Sequence, residues 1–148
     1  MTNPTQDAQA QLGVDSKRES SALDRLQAEI PELVALYLFG SRAKKSGNSA
    51  SDFDLAVLAA RPLPSARCWE IAQELAVILG RDVDLVDLRS ASAVLRAQVL
   101  GGSVLLLDLA PAKRAQFEGL ALTEFARLNE ERREVLERIE HEGTIYGR

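Results

Sequence analysis

Apolar positions along this chain switch repeatedly between helical spacing and unbroken or alternating runs of strand length. The short runs predict four strands, because an amphipathic helix shows a longer stretch of apolar residues spaced about 3.6 apart. The predicted strands are Leu33–Phe39, Phe53–Ala59, Arg81–Leu88 and Val104–Leu107. The first run is apolar throughout, which is typical of a strand that is buried on both faces of a sheet.

Helices are predicted between these strands and after the last one. Asp15 or Ser16 is the candidate cap of the first helix, which Pro31 ends, while Ser65 caps the second, which Gly80 ends. Further helices are predicted at Arg42–Lys45, from Ser90 or Ser92 to Gly101, and over about 111–142. The alternation favours a single α/β or α+β domain, with a small mixed sheet flanked by helices and a long C-terminal helix.

Several large apolar residues fall on the stripes of these predicted elements, so we expect them in the core. They are Tyr37 and Cys68, together with Trp69 and Phe117. Asp82 and Asp87 are instead expected to be solvated charges at the ends of a strand. The single cysteine excludes an internal disulfide and indicates a reducing compartment.

Length and charge narrow the class of protein. A chain of 148 residues fits one domain, predicted over residues 15–148, after a polar segment of residues 1–14 that is expected to be disordered. The formal net charge is -4 and basic residues are scattered among acidic ones, which disfavours direct binding of nucleic acid. No apolar run approaches the length of a membrane span or a signal peptide, so we expect a cytoplasmic protein.

A pair of carboxylates opens the second predicted strand. In Asp52-Phe53-Asp54, the period of two along a strand places both aspartates on one face. Like charges held side by side repel each other unless a cation lies between them. Mg²⁺ suits an all-oxygen pair and takes its remaining ligands from water and substrate phosphates. The pair therefore predicts a magnesium site that acts on a phosphorylated substrate.

A glycine turn precedes this pair, with ten residues between Gly40-Ser41 and Asp52. Glycine at the end of a buried strand allows the backbone to approach a phosphate closely, and the Ser41 hydroxyl can donate to a phosphate oxygen. Arg42 adds a positive charge beside the turn. We therefore expect Gly40, Ser41 and Arg42 to bind the phosphates of the substrate.

A third carboxylate comes from the next predicted strand. Asp84 and Asp82 both lie on its polar face, and Asp84 is the better candidate because apolar residues flank it in Val83-Asp84-Leu85-Val86. Three carboxylates on adjacent strands can hold two Mg²⁺ ions, one on a triphosphate and one on an attacking hydroxyl, for in-line displacement. Asp84 would then bind the second metal or act as the base.

Together these motifs resemble the polymerase-beta-like nucleotidyltransferase superfamily, in particular its small stand-alone MNT members. The resemblance covers about residues 33–107 and includes the order of the elements. It implies a minimal nucleotidyltransferase fold in which Asp52, Asp54 and Asp84 bind magnesium. It also implies that Gly40 and Ser41 form the phosphate turn, and that Arg42 occupies a position that is commonly basic.

The MNT proteins that this chain resembles are antitoxins of HEPN/MNT toxin–antitoxin pairs. The resemblance implies that the protein transfers AMP from ATP to a tyrosine of a HEPN-domain ribonuclease toxin, which it also binds as a hetero-oligomer. Apolar residues within the charged segment Asn129–Glu142, namely Val135, Leu136 and Ile139, indicate a surface for such a partner.

Two alternatives remain open at this point. The same chemistry serves nucleotide transfer to a small hydroxylated molecule, as in aminoglycoside nucleotidyltransferases, although the chain lacks a second domain for an acceptor pocket. A second alternative is an antitoxin that only binds its toxin, with carboxylates that no longer catalyse transfer. The presence of all three acids argues against this second alternative.

Overall fold

The computed structural model of the protein describes residues 12–44 and 52–146. Its strands are β1 (Leu33–Phe39), β2 (Phe53–Ala59), β3 (Val83–Asp87) and β4 (Val104–Asp108). Its helices are α1 (Ser16–Glu29), α2 (Gly40–Ala43), α3 (Ser65–Leu79), α4 (Ala93–Gly102) and α5 (Pro111–Tyr146). No helix within these described ranges is long and apolar enough to cross a bilayer.

The four strands form one sheet in the order β3-β2-β1-β4. β1 pairs antiparallel with both β2 and β4, whereas β2 and β3 run parallel. This arrangement confirms the predicted mixed sheet. β3 and β4 are the outer strands, so β1 and β2 are the two central strands of the sheet.

Apolar side chains pack on both faces of the sheet, which confirms the prediction for β1. On one face, Leu36 and Leu38 pack in a cluster with buried residues of α1 and α3. On the other face, Tyr37 packs with Val99 of α4 and Phe117 of α5. The strand is continuously apolar because each of its faces is covered by a pair of helices.

Local capping explains most of the helix boundaries. The side chain of Asp15 accepts a hydrogen bond from the Arg18 amide, and the side chain of Ser92 caps α4 in the same way. Gly80 ends α3 in the left-handed conformation, with φ of 73°. Two predicted boundaries were wrong: Pro64, not Ser65, is the N-cap of α3, and α2 begins at Gly40 instead of Arg42.

Trp69 is not in the core, contrary to prediction. It is 65% exposed. α3 turns Cys68 and Ile71 toward the sheet, and Trp69 lies about 100° around the helix from Cys68, at the margin of the buried stripe. Helical periodicity defines an apolar stripe, but it does not define which edge of the stripe the sheet covers.

The chain is already packed at Leu12, within the segment 1–14 that was predicted to be disordered. Leu12 is 3% exposed and belongs to the same cluster as α1 and α3. The Val14 amide donates to Glu19 Oε1 at 3.3 Å, which ties this entry segment to the first turn of α1. Residues 1–11 lie outside the described ranges. The packed domain thus includes residues 12–14, which precede the predicted boundary.

Asp87 is buried and fully engaged, so its prediction as a solvated charge was wrong. Its carboxylate accepts hydrogen bonds from the Leu63 amide at 2.9 Å, the Arg89 amide at 3.2 Å and the Ser90 hydroxyl at 2.8 Å. These bonds fix the connection between β2 and α3, which contains Leu63, and the connection that follows β3, which contains Arg89 and Ser90. Asp82 is exposed, as predicted.

We expect Asp87→Ala to lower the free energy of unfolding by about 1–3 kcal/mol, because three donors lose their acceptor in a buried place. Urea denaturation measures this loss. Asp82→Ala is the matched control on the same segment, and we expect its change to stay within about 0.5 kcal/mol. Equal effects of the two substitutions would contradict a structural role for the Asp87 carboxylate.

Candidate active site

Three of the predicted carboxylates come together at one end of the sheet. Asp54 and Asp84 are register partners on the parallel strands β2 and β3, and Asp52 immediately precedes β2. Because side chains alternate along a strand, Asp54 lies on the same face as Ala56 and Leu58, which is the face that α4 and α5 cover. Asp54 is half-buried, whereas Asp52 and Asp84 are exposed.

The environment of Asp54 disfavours its charged form. Burial raises the pKa of the Asp54 carboxyl above its ordinary value, and the negative charges of Asp84 and then Asp52 raise it further. A cation between the carboxylates would offset both the repulsion among them and the cost of burying the charge of Asp54. The cluster therefore stores an unfavourable charge arrangement that a metal ion relieves.

This raised pKa predicts how stability depends on pH in metal-free buffer. The folded chain holds the Asp54 proton more tightly than the unfolded chain, so the stability due to Asp54 is complete at low pH. It is lost as the pH rises through the folded-state pKa. We expect Asp54→Asn to remove this loss. The free energy of unfolding of the variant, relative to that of the wild type, should therefore increase as the pH rises above about 4. Urea titrations at a series of pH values test the trend, and a difference between the two proteins that does not change with pH would contradict it.

Gly40 lies directly against the acidic cluster. Its φ is 75°, in the left-handed region that side chains other than glycine's disfavour. A Cβ atom built on it would lie 3.0 Å from Cγ of Asp54 and closer still to Oδ2. Glycine is thus required twice over, for its backbone conformation and for the space that the Asp54 carboxylate occupies.

Ser41 and Arg42 follow Gly40 in the short helix α2. Ser41 is exposed. The Arg42 guanidinium lies 3.9 Å above the centre of the Phe53 ring, and its Nη1 donates to the Leu12 carbonyl at 3.2 Å. Phe53 belongs to the cluster of the opposite face of the sheet from Asp54. The structure therefore places Gly40 against the carboxylates. The Arg42 guanidinium lies instead over the Phe53 ring, whose side chain is on the opposite face of the sheet from Asp54.

The carboxylates suit a hard cation, since every donor in the cluster is an oxygen. Within residues 12–44 and 52–146, no group of three acidic, histidine or cysteine side chains already converges on one metal position. An ion at Asp52, Asp54 and Asp84 would thus need further oxygens from a phosphorylated ligand and water. This is the usual way in which proteins bind Mg²⁺ together with a nucleotide.

An open groove of about 510 Å³ begins at Gly40 and continues along α4. Phe39 and Lys44 line it on one side, and Gly101 and Gly102 line it on the other. Sequence reasoning interpreted Gly101-Gly102 only as the end of a helix. Their lack of side chains opens the groove. No local pattern in the sequence relates them to Gly40, because the two segments are far apart along the chain.

A glycine turn against paired carboxylates, with a third carboxylate on the adjoining parallel strand, is the arrangement of a nucleotidyltransferase. The model of the family "Polymerase beta, Nucleotidyltransferase" matches residues 22–111, and the chain belongs to this family. The matched span includes all four strands and the acidic cluster. The resemblance inferred from the sequence is thereby confirmed.

The chain is also similar to an individual protein and to solved structures. Over 82 residues the chain is 50% identical to protein adenylyltransferase MntA of Shewanella oneidensis, and the match covers 55% of this chain and 59% of the relative. A structure of a toxin–antitoxin with AMP-PNP contains a chain that is 38% identical, with a TM-score of 0.71. That comparison covers 80% of this chain and 94% of the other.

A second solved structure concerns a modified toxin. It contains a tri-AMPylated Shewanella oneidensis HEPN toxin in complex with MNT antitoxin. The matched chain is 36% identical with a TM-score of 0.69, and the comparison covers 84% of this chain and 97% of the other. The minimal nucleotidyltransferase fold expected from the sequence is therefore the fold of this chain.

Proposed function

We propose that this protein is an Mg²⁺-dependent protein adenylyltransferase and the antitoxin of a HEPN/MNT pair. It transfers AMP from ATP to a tyrosine hydroxyl of its cognate HEPN toxin and so neutralises the toxin. The observation that carries this proposal is the cluster of Asp52, Asp54 and Asp84 against the Gly40 turn. The similarity of the chain to MntA, and to a chain in the structure of an AMPylated toxin complex, supports a HEPN toxin as the acceptor.

Each residue of the cluster has a proposed role. Asp52, Asp54 and Asp84 would hold two Mg²⁺ ions, which supply Lewis-acid stabilisation of the charge that develops on the phosphates. Gly40 leaves room for the Asp54 carboxylate beside the turn, and the Ser41 hydroxyl would donate to a phosphate oxygen. The nucleotide extends from there into the groove between α2 and α4. Arg42 takes part in phosphate binding if its guanidinium leaves the Phe53 ring.

The proposed reaction is an in-line displacement at the α-phosphorus. The acceptor oxygen forms a bond to the α-phosphorus as the bond to the bridging oxygen breaks, and pyrophosphate leaves. The hydroxyl proton passes to a carboxylate, for which Asp84 is placed best because it is exposed on the outer strand β3. Asp82 lies two residues earlier, next to the first residue of β2, and its role is confined to solvated charge.

The exposed apolar surface of α5 supports the proposal that the acceptor is a protein. Val135, Leu136 and Ile139 are all exposed on this helix, among charged residues. Together with Phe125 and Leu128 they continue an apolar stripe at helical spacing beyond the part of α5 that packs on the sheet. An exposed apolar stripe of this length is typical of a helix that packs against a partner.

A labelling experiment tests the proposal. The full chain is incubated with ATP labelled at the α-phosphate, Mg²⁺ and the protein encoded by the neighbouring gene, and then Asp52→Asn and Asp84→Asn are tested in the same way. We expect label on the partner with the wild type and its loss in both variants. Complex formation without label would favour an antitoxin that only binds, and label on added aminoglycosides alone would favour a small-molecule acceptor.

A further inference from the structure

β3 is one of the two outer strands, and one edge of it has no neighbouring strand among the described residues. In a parallel pair, alternate residues of each strand bond the neighbour. The Leu88 amide donates to the Val57 carbonyl at 3.0 Å, so the even-numbered residues of this segment face β2. The backbone N–H and C=O groups of Val83 and Leu85 therefore point away from the sheet.

This free edge forms one wall of a groove of about 540 Å³. The opposite wall is α3, where Cys68, Trp69 and Ala72 line the groove. Trp69 is exposed although it is the chain's only tryptophan and lies beside an apolar wall. A groove with backbone donors and acceptors on one side and an aromatic ring on the other suits an extended polypeptide. A helix cannot satisfy these groups, because its own backbone is already bonded internally.

The groove is continuous with the acidic cluster, since Asp84 lines it. The side chains of an added strand alternate between the two faces of the sheet, as those of β3 do. A residue paired opposite Asp84 would place its side chain on the face of Asp84 and Asp54, with Cβ atoms about 5 Å apart across the pair. The next residue along would instead project toward Trp69.

We propose that the acceptor protein presents its hydroxyl residue within an extended segment that adds to the free edge of β3. This rests on the proposed function and identifies its acceptor site. The hydroxyl residue pairs beside Asp84, and an adjacent apolar side chain packs on Trp69. Asp84 is exposed at this edge, so an acidic side chain next to the hydroxyl residue would be disfavoured.

Amide hydrogen exchange of the full chain tests this docking directly. It is measured alone and with the protein encoded by the neighbouring gene, in the presence of Mg²⁺ and AMP-PNP. We expect exchange at the Val83 and Leu85 amides to slow at least about tenfold in the complex. A complex in which these two amides exchange as before would overturn the proposal, as would failure to form a complex. Slow exchange before the partner is added would also overturn it, because another part of this chain would then cover the edge.

Kinetics of Trp69→Ala provide the second readout. Trp69 is exposed, so its truncation leaves the fold intact, and we expect the KM for the partner to rise about tenfold. The affinity for AMP-PNP should not change. Val77→Ala is the matched control, because Val77 lies on the same helix, is 84% exposed and does not line the groove. An unchanged KM for Trp69→Ala would overturn the proposal.

The two proposals fail in different ways. AMP transfer to the partner without protection of Val83 and Leu85 would overturn the docking site and leave the proposed function standing. Protection of both amides without any transfer would support the docking site and contradict the proposed function.

Discussion

Asp54→Asn should transfer AMP at least about a hundredfold more slowly than the wild type, while its melting temperature in metal-free buffer is no lower. Asp54 is the half-buried member of the cluster, and its charge is disfavoured by burial and by Asp84 and Asp52. The amide keeps the shape of the side chain but removes the charge that a cation needs. Activity and stability should thus change in opposite directions, as expected of a group retained for function at a cost in stability.

Asp82→Asn provides the control for this variant. It removes one negative charge from the same end of the sheet, but from an exposed side chain outside the proposed metal site. We expect its transfer rate to stay within about twofold of the wild type, since an exposed charge acts weakly through water. Transfer rates with labelled ATP and melting curves measure both variants. A wild-type rate in Asp54→Asn would contradict the assigned site.

Gly40→Ala should lower the free energy of unfolding by about 1–3 kcal/mol and reduce AMP transfer at least about tenfold. The left-handed backbone at φ of 75° accounts for part of the lost stability. The added methyl group meets the Asp54 carboxylate, so Asp54 must move away from its position beside Asp84. Loss of activity should therefore exceed what reduced folding alone explains.

Gly80→Ala separates these two effects. Gly80 has nearly the same φ, 73°, but the atom nearest to a Cβ there would be Nη1 of Arg18, at 2.9 Å, at the end of a flexible side chain. We expect a loss of about 1 kcal/mol from backbone strain and an unchanged transfer rate. Urea denaturation and transfer assays apply to both variants. If Gly40→Ala retained full activity at a temperature where it is folded, the contact with Asp54 would have no functional meaning.

Much of this fold follows from the apolar pattern. The seven apolar residues of β1 predict burial on both faces, and the structure places α1 and α3 on one face and α4 and α5 on the other. Local capping residues such as Asp15, Ser92 and Gly80 act over a few residues only, so their effect can be predicted from the sequence. The sequence also predicts that Asp54 and Asp84 lie on adjacent strands, and the parallel register of β2 and β3 makes them direct partners.

Other features depend on contacts between distant segments, which a local pattern does not contain. Asp87 looks like a solvated charge until Leu63, 24 residues away, donates to it. Trp69 lies at the margin of a stripe, and only the packing of α3 on the sheet determines its exposure. Arg42 is bound to Leu12, 30 residues away, so its direction could not be predicted from its position beside the turn.

The position of the label in ATP tests the central claim most directly. The full chain is incubated with Mg²⁺ and the protein encoded by the neighbouring gene, in parallel with ATP labelled at the α-phosphate and ATP labelled at the γ-phosphate. If the acidic cluster against Gly40 catalyses adenylyl transfer, the α label appears on a tyrosine of the partner and the γ label is released as pyrophosphate. Partner protein that carries the γ label, or neither label, would contradict the account.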